Sequence, residues 1–316
     1  MPSIPSLDLG DFLSGDSNRK NAFVKALGEA YETIGFAAVK GHFLDEHLSA
    51  ELYEQTKRFF DLPRETKFRY HDDQLAGQRG YTGWGEEHAK GSAVGDLKEF
   101  WHFGQLVPEN LKQQFNYPDN LYVSELPGFN EVGMRAFIAL EETGKYMLRA
   151  MALFLGLDET YFDTEILYGN SILRPIHYAP ILNEPPVGAV RAGAHEDINL
   201  ITLLMGASAE GLEILNKQGN WIPVTAVEGH LVVNVGDMLQ RLTNDRFKST
   251  THRVVNPPRE KWSEPRYSIP FFLHPKSSTR LDCLSSCISE NHPKKYDDIS
   301  AGDYLTERLK EIGLLK

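Results

Sequence analysis

Ala194-His195-Glu196-Asp197-Ile198-Asn199-Leu200-Ile201-Thr202-Leu203-Leu204 sets a histidine and an aspartate two residues apart at the head of a continuous apolar run. On an extended strand that spacing puts both side chains on one face. An imidazole beside a carboxylate suits a first-row divalent metal ion. The run that follows reads as a buried strand, where a charged pair is costly unless it is satisfied. Chance alone supplies pairs at this spacing, and the chain has a second, His71 and Asp73, inside the polar run Tyr70-His71-Asp72-Asp73-Gln74. That one reads as a solvated loop; context separates the two.

Two later segments extend the constellation. His252 lies in Ser249-Thr250-Thr251-His252-Arg253-Val254-Val255, another strand-like stretch. Strands far apart in sequence face each other in a closed sandwich. Two histidines and one carboxylate on one side of an iron ion leave three positions open, as expected of non-haem Fe(II) oxygenases. Arg266-Tyr267-Ser268 then puts a guanidinium and a hydroxyl on one strand face. Buried there, the arginine calls for an anionic partner. A 2-oxo acid meets both demands: it chelates iron through its keto oxygen and C1 carboxylate and reaches Arg266 with its far carboxylate. One position stays open for O2. His195-Glu196 does not open a zinc-protease motif, because position 199 is asparagine.

Around this constellation the periodicity changes from helical to two. Ile4 to Leu9 reads as a short strand, and Phe23, Leu27, Ala30, Tyr31 and Ile34 form one helix face that Gly35 closes. Phe36 to Val39 is a short buried strand, and a second helix through Leu48, Leu52, Phe59 and Phe60 ends before Pro63. Gln74 to Gly104, glycine-rich with Trp84 and Trp101, reads as a long loop over a pocket. A long helix from Phe129 to Leu155 separates the halves. Beyond it, segments such as Ser171–Tyr178, Leu200–Met205, Leu212–Leu215, His230–Val235, Thr250–Val255 and Tyr267–Leu273 are short, β-branched or aromatic, and punctuated by turns. That pattern is a sandwich or jelly roll. Residues 1–128 form an N-terminal α/β extension and 129–316 the long helix, the β core and a last helix over Ala301–Ile312.

Charge and cysteine usage narrow the partners. Lys and Arg number 33 against 44 Asp and Glu, a net charge of −11, with no basic stripe, which argues against a nucleic-acid substrate. No stretch approaches a membrane span, and the N-terminal residues lack a secretory pattern, so the expectation is a cytoplasmic protein acting on a small molecule. Cys283 and Cys287 read as free thiols in a reducing compartment. Oligomeric state is not legible.

The ordered series His195-Glu196-Asp197, Gly219-Asn220-Trp221-Ile222-Pro223-Val224, Leu231-Val232-Val233-Asn234-Val235-Gly236-Asp237, Lys248-Ser249-Thr250-Thr251-His252-Arg253-Val254-Val255-Asn256-Pro257 and Arg266-Tyr267-Ser268-Ile269-Pro270-Phe271-Phe272 resembles the isopenicillin N synthase-like branch of the Fe(II)/2-oxoglutarate dioxygenases. Ile4-Pro5-Ser6-Leu7-Asp8 and Phe59-Phe60-Asp61-Leu62-Pro63 carry the likeness into the N-terminal half. The resemblance implies a mainly β fold with helices, its core a double-stranded β-helix (jelly roll). It implies His195, Asp197 and His252 on iron, Arg266 and Ser268 on the 2-oxoglutarate tail, and Tyr178 hydrogen-bonded to the oxo acid. Many members carry asparagine two residues before that tyrosine, where this chain has Ile176. Relatives also grip a substrate carboxylate with an arginine placed like Arg79; a solvated loop arginine is the alternative. The implied reaction is hydroxylation, desaturation or cyclisation with release of succinate and CO2. An oxidase that takes all electrons from its substrate and uses no 2-oxoglutarate, or a non-catalytic metal-stabilised binder, stays open on sequence alone.

Overall fold

Leu231-Val232-Val233-Asn234-Val235 offers water neither face, and it lies inside a sheet, with a strand on either side. The computed structural model describes residues 4–87, 95–115, 117–186, 188–206, 210–224, 227–312 and 314–315. In chain order the first strands are β1 (Ser6–Asp8), β2 (Phe36–Lys40), β3 (Gly80–Thr82), β4 (Glu99–Gly104), β5 (Ile172–Leu173), β6 (Ile176–Tyr178) and β7 (Ala192–His195). Then come β8 (Ile201–Met205), β9 (Leu212–Leu215), β10 (Trp221–Pro223), β11 (Leu231–Val235), β12 (His252–Val254), β13 (Arg266–Ser268) and β14 (Pro270–Leu273). The larger sheet runs β1-β2-β11-β8-β14-β5-β4-β6-β13, with β3 on β4, and the smaller runs β10-β9-β12-β7. Short antiparallel strands in two sheets give the jelly roll.

Alternation sorts the side chains. On β11, Leu231, Val233 and Val235 join Leu203 of β8 and Phe271 of β14 in a core shared with helices. Their neighbours turn the other way: Val232 meets Phe36, Ile176, Ile214 and Val254 in a second core between the sheets. The first core is closed by the helices Ser17–Thr33, Glu46–Phe60 and Pro127–Phe154, which contribute Leu27, Leu52, Phe137 and Met147. Each fully buried residue of this size contributes about 1.5–3 kcal/mol. The first of these helices ends where Gly35, at φ 73°, bonds its N–H to the Ala30 carbonyl at 3.0 Å. A side chain there would strike the Lys248 carbonyl at 2.1 Å, so glycine is required.

One expectation is corrected. Gln74–Gly104 is not a continuous loop, because β3 and β4 lie inside it; residues 88–94 of that segment fall outside the described residues. Phe100 and Trp101 face opposite cores, and β4 pairs with β3 inside the segment and with β5 and β6 some seventy residues on. Local composition cannot show that pairing.

The long helix carries a poorly solvated carboxyl. Burial, aided by Glu142, pushes Glu141 up to about 7, against the opposing pull of Lys145. A carboxyl whose folded pKa is raised binds its proton more tightly in the folded state. Its cost is therefore absent below the unfolded pKa and complete above about 7. Glu141→Gln is expected to stabilise the protein by about 1–3 kcal/mol at pH 8, with the gain vanishing near pH 4 in thermal melts at the two pH values.

Candidate metal centre and adjoining cavities

β7 and β12 pair with His195 opposite His252, so two imidazoles from distant segments lie side by side with ring centroids 4.4 Å apart. β7 stops at His195, and Asp197 occupies the turn that leads into β8. The carboxylate therefore reaches the histidines by a turn and not by strand alternation. Asp197 Oδ1 stands 3.9 Å from His195 Nε2 and 3.7 Å from His252 Nε2. One ligand atom from each residue falls within 4.8 Å of the others, the single such grouping among the described residues.

Hydrogen bonds aim all three groups. His195 Nδ1 faces the Gly193 carbonyl at 2.7 Å, and His252 Nδ1 faces that of Thr250 at 3.1 Å. A ring that donates from Nδ1 presents its Nε2 lone pair. Asp197 Oδ2 accepts from Thr202 Oγ1 at 2.6 Å and Asn234 Nδ2 at 2.8 Å, which leaves Oδ1 turned to the imidazoles. Asn234 and Thr202 are cross-strand partners on β11 and β8, on the face between the sheets. Burial and the neighbouring His252 push His195 down to about 4, so its ring is neutral. Burial raises Asp197, but the two histidines and the two donors outweigh it and hold the carboxyl below its usual range. A neutral-imidazole and carboxylate donor set of this kind fits a divalent iron ion.

Arg266 and Ser268 share a face of β13, both buried, with Arg266 paired across to Tyr178 on β6. The Arg266 guanidinium lies 5.1 Å from the Tyr178 ring, and that of buried Arg191 lies 5.9 Å from it. Burial and the Arg266 charge lower Arg191 to about 10, a mutual repulsion that an anion relieves. A cavity of about 70 Å³ runs between the sheets from His195, Asp197 and His252 to Arg266 and Ser268. Tyr178 lines it, while His177 turns away and bonds Glu99 at 2.8 Å.

A second cavity, about 300 Å³, opens on the other side of His195 and Asp197. Ile172, Phe272, Leu305, Leu309 and Ile312 form its apolar wall, and Phe272 lines both cavities. Facing them is a buried charged cluster that the sequence reading missed. Lys98 Nζ lies 2.5 Å from Glu87 and 2.8 Å from Asp96, and Arg174 lies 3.2 Å from Glu87 and bonds His102. An arginine inside the apolar run of Ser171–Tyr178 was the available signal, since it had to find a partner. His274, 6% exposed, also lines this cavity, and burial brings it down to about 4. Glu196 accepts from Thr251 at 2.7 Å at the cavity edge.

Arg79 lies outside both cavities. It is fully buried against Gly104, where a Cβ would come within 1.9 Å of the guanidinium, and burial lowers it to about 10. Its neighbour Gln78 lines the larger cavity instead. His71 and Asp73 form a surface pair at 3.1 Å, as context suggested, and Arg253 pairs with Glu213 at 2.8 Å. Cys283 and Cys287 are free.

Lys98 is the sole cation on Asp96 and one of two on Glu87 among the described pairs. Its loss leaves buried Asp96 without a cation and Glu87 with Arg174 alone, so Lys98→Met is expected to cost about 3–5 kcal/mol, read as a lowered denaturant midpoint.

Comparison with known proteins agrees with this geometry. Residues 4–125 match the family model described as the N-terminal region of a non-haem dioxygenase in morphine synthesis, and residues 170–275 match that of the 2OG-Fe(II) oxygenase superfamily. The 2-oxoglutarate-Fe(II) type oxidoreductase hxnY of Emericella nidulans is 31% identical, over 97% of this chain and 89% of its own length. Proline hydroxylase buaE of Petromyces alliaceus is 34% identical, over 97% of this chain and 98% of its own. A crystal structure of a 2OG-Fe(II) oxygenase family protein from Caulobacter crescentus aligns with a TM-score of 0.87 at 38% identity, covering 99% of this chain and all of that one. A full-length Neurospora crassa protein, crystallised in complex with alpha-KG and thymine, aligns with a TM-score of 0.87 at 32% identity, over 97% and 96% of the two chains. With a jelly roll, a His-Asp-His grouping in its interior and relatives matched along most of their length, the chain belongs to the 2OG-Fe(II) oxygenase superfamily, in its isopenicillin N synthase-like branch, and is a non-haem iron, 2-oxoglutarate-dependent dioxygenase.

Proposed function

We propose that His195, Asp197 and His252 hold the iron, that Arg266 and Ser268 hold the far carboxylate of 2-oxoglutarate, and that Tyr178 hydrogen-bonds the oxo acid. The observation that carries this reading is the 70 Å³ cavity joining the three aimed donors to a buried arginine. Iron(II) with 2-oxoglutarate supplies the O2-dependent oxidation, in which the oxo acid leaves as succinate and CO2. The chain's own residues do the positioning. Thr202 and Asn234 fix one Asp197 oxygen so that the other keeps its direction without reorganising. Phe36, Leu204 and Val254 exclude water along the narrow cavity, which strengthens every charge contact inside it.

The 300 Å³ cavity is the seat we assign to a small-molecule substrate. Hydroxylase and thymine-bound relatives support that class. The acidic balance favours neither nucleic acid nor an anionic membrane surface, and no helix among the described residues is long and apolar enough to cross a membrane. Two free thiols favour the cytoplasm. We also read residues 1–128 as an extension and 129–316 as the catalytic core; β1, β2 and β4 enter the same large sheet, so the two parts share their packing.

Arg266→Met is expected to weaken 2-oxoglutarate binding by about 30-fold or more, since truncating a buried charge pair costs about 2–5 kcal/mol. Mn(II) affinity should be unchanged in anaerobic calorimetry; equal 2-oxoglutarate affinity in the variant would refute the seat. Asn234→Leu, which deprives Asp197 of a donor, should instead lower metal affinity about 10–100-fold, measured by the same titration. Substrate-dependent succinate release, with candidate small molecules, tests the reaction itself.

A further inference from the structure

The larger cavity is lined by five carboxylates besides the proposed ligand Asp197: Glu87, Asp96, Glu196, Asp237 and Glu311. Against them stand three cations, Lys98, Arg174 and Arg308, among the described residues. Each cation is already committed within the wall. Lys98 lies between Glu87 and Asp96, Arg174 is on Glu87, and Arg308 is on Glu311 at 2.6 Å. Arg308 Nε lacks a hydrogen-bond partner, but it is sealed from solvent and so from the cavity. Among the described residues, a substrate carboxylate would therefore meet an excess of negative charge with no uncommitted cation to receive it. The arginine expected to supply that grip, Arg79, lies outside the cavity.

Two polar side chains in the wall, Gln78 and His274, make no hydrogen bond to a described residue, and His274 lies nearer the proposed ligands in the lining. His274 is nine-tenths buried, its ring makes no hydrogen bond to a described residue, and it lines the cavity beside His195 and Asp197. An imidazole can both donate and accept, and buried polar groups are rarely left without a partner. The same cavity is lined by Leu305, Leu309 and Ile312 of the C-terminal helix Ala301–Glu311 and the residue after it.

We propose that the substrate of this enzyme is an uncharged or basic-nitrogen compound, not a carboxylate, and that His274 holds it by a hydrogen bond while its apolar part lies on the C-terminal helix. The proposal rests on the reading of this cavity as the substrate seat. It makes the charge of the substrate, and not its shape alone, a condition of entry.

The test uses protein loaded with Mn(II) and 2-oxoglutarate, and with Zn(II) as the diamagnetic control, screened by NMR against equal numbers of carboxylate, neutral polar and amine fragments. Fragments broadened by Mn(II) and not by Zn(II) lie close to the metal. Among these, neutral compounds and amines are expected to outnumber carboxylates by about tenfold, given the like-charge cost at short range. His274→Ala should weaken the tightest of them about tenfold, the worth of one hydrogen bond in a buried site, and His274→Gln should restore most of that. An even or carboxylate-rich set overturns the proposal, as does an absence of broadened fragments or an unchanged affinity in His274→Ala. Mn(II) and 2-oxoglutarate affinities are measured first by calorimetry. If neither binds, the site assignment falls together with the proposal, whereas normal binding followed by carboxylate preference overturns the proposal alone.

Discussion

Everything in the centre of this protein depends on a carboxylate held by one oxygen. Thr202 and Asn234 engage Asp197 Oδ2, and Oδ1 is thereby presented to two imidazoles. The two donors come from adjacent strands, in register with each other, so the direction of Asp197 is set by the pairing of β8 with β11. A slip of one residue would turn both donors into the helix-covered core and replace them with Leu203 and Val233. The proposed metal centre is thus a property of sheet register before it is a property of any ligand.

The same register divides the large sheet into two environments. One face is sealed by helices and is wholly apolar in its central strands, which makes it a rigid backing. The other faces the smaller sheet, and there Thr202, Asn234, Arg266 and Ser268 interrupt the apolar pattern. Polar groups are tolerated at these positions only because each has a partner or a ligand to meet. The chemistry lies where alternation brings polar residues inward.

The two cavities that meet at His195 and Asp197 differ in their electrostatics. The narrow one is bordered by Arg266, with Arg191 near the same tyrosine ring, and suits a dianion. The wide one is bordered by paired charges and an excess of carboxylates. Both are shaped by Lys98 and Arg174, which line each of them and are tied to Glu87. A buried ion cluster on the shared wall gives two neighbouring spaces opposite preferences without a separate partition.

By itself the sequence determined which residue types meet at the centre and what fold carries them. The grouping of His195, Asp197 and His252, and the pair Arg266 and Ser268, were legible because the proposed metal ligation and anion binding demand particular side chains, and because period-two strands imply a two-sheet core. Only the tertiary structure decided how they are held and what surrounds them. Asp197 lies on a turn and not on the strand that carries His195, the donors on its far oxygen come from strands thirty residues apart in sequence, and Arg79 turns away from the cavity that its neighbour Gln78 lines. The charged wall of Glu87, Asp96, Lys98 and Arg174 was likewise invisible, although its arginine stood in plain view. Local pattern fixes which way a side chain faces along its own strand. Which groups it then meets depends on pairings between distant segments, and those exist only once the chain has closed on itself.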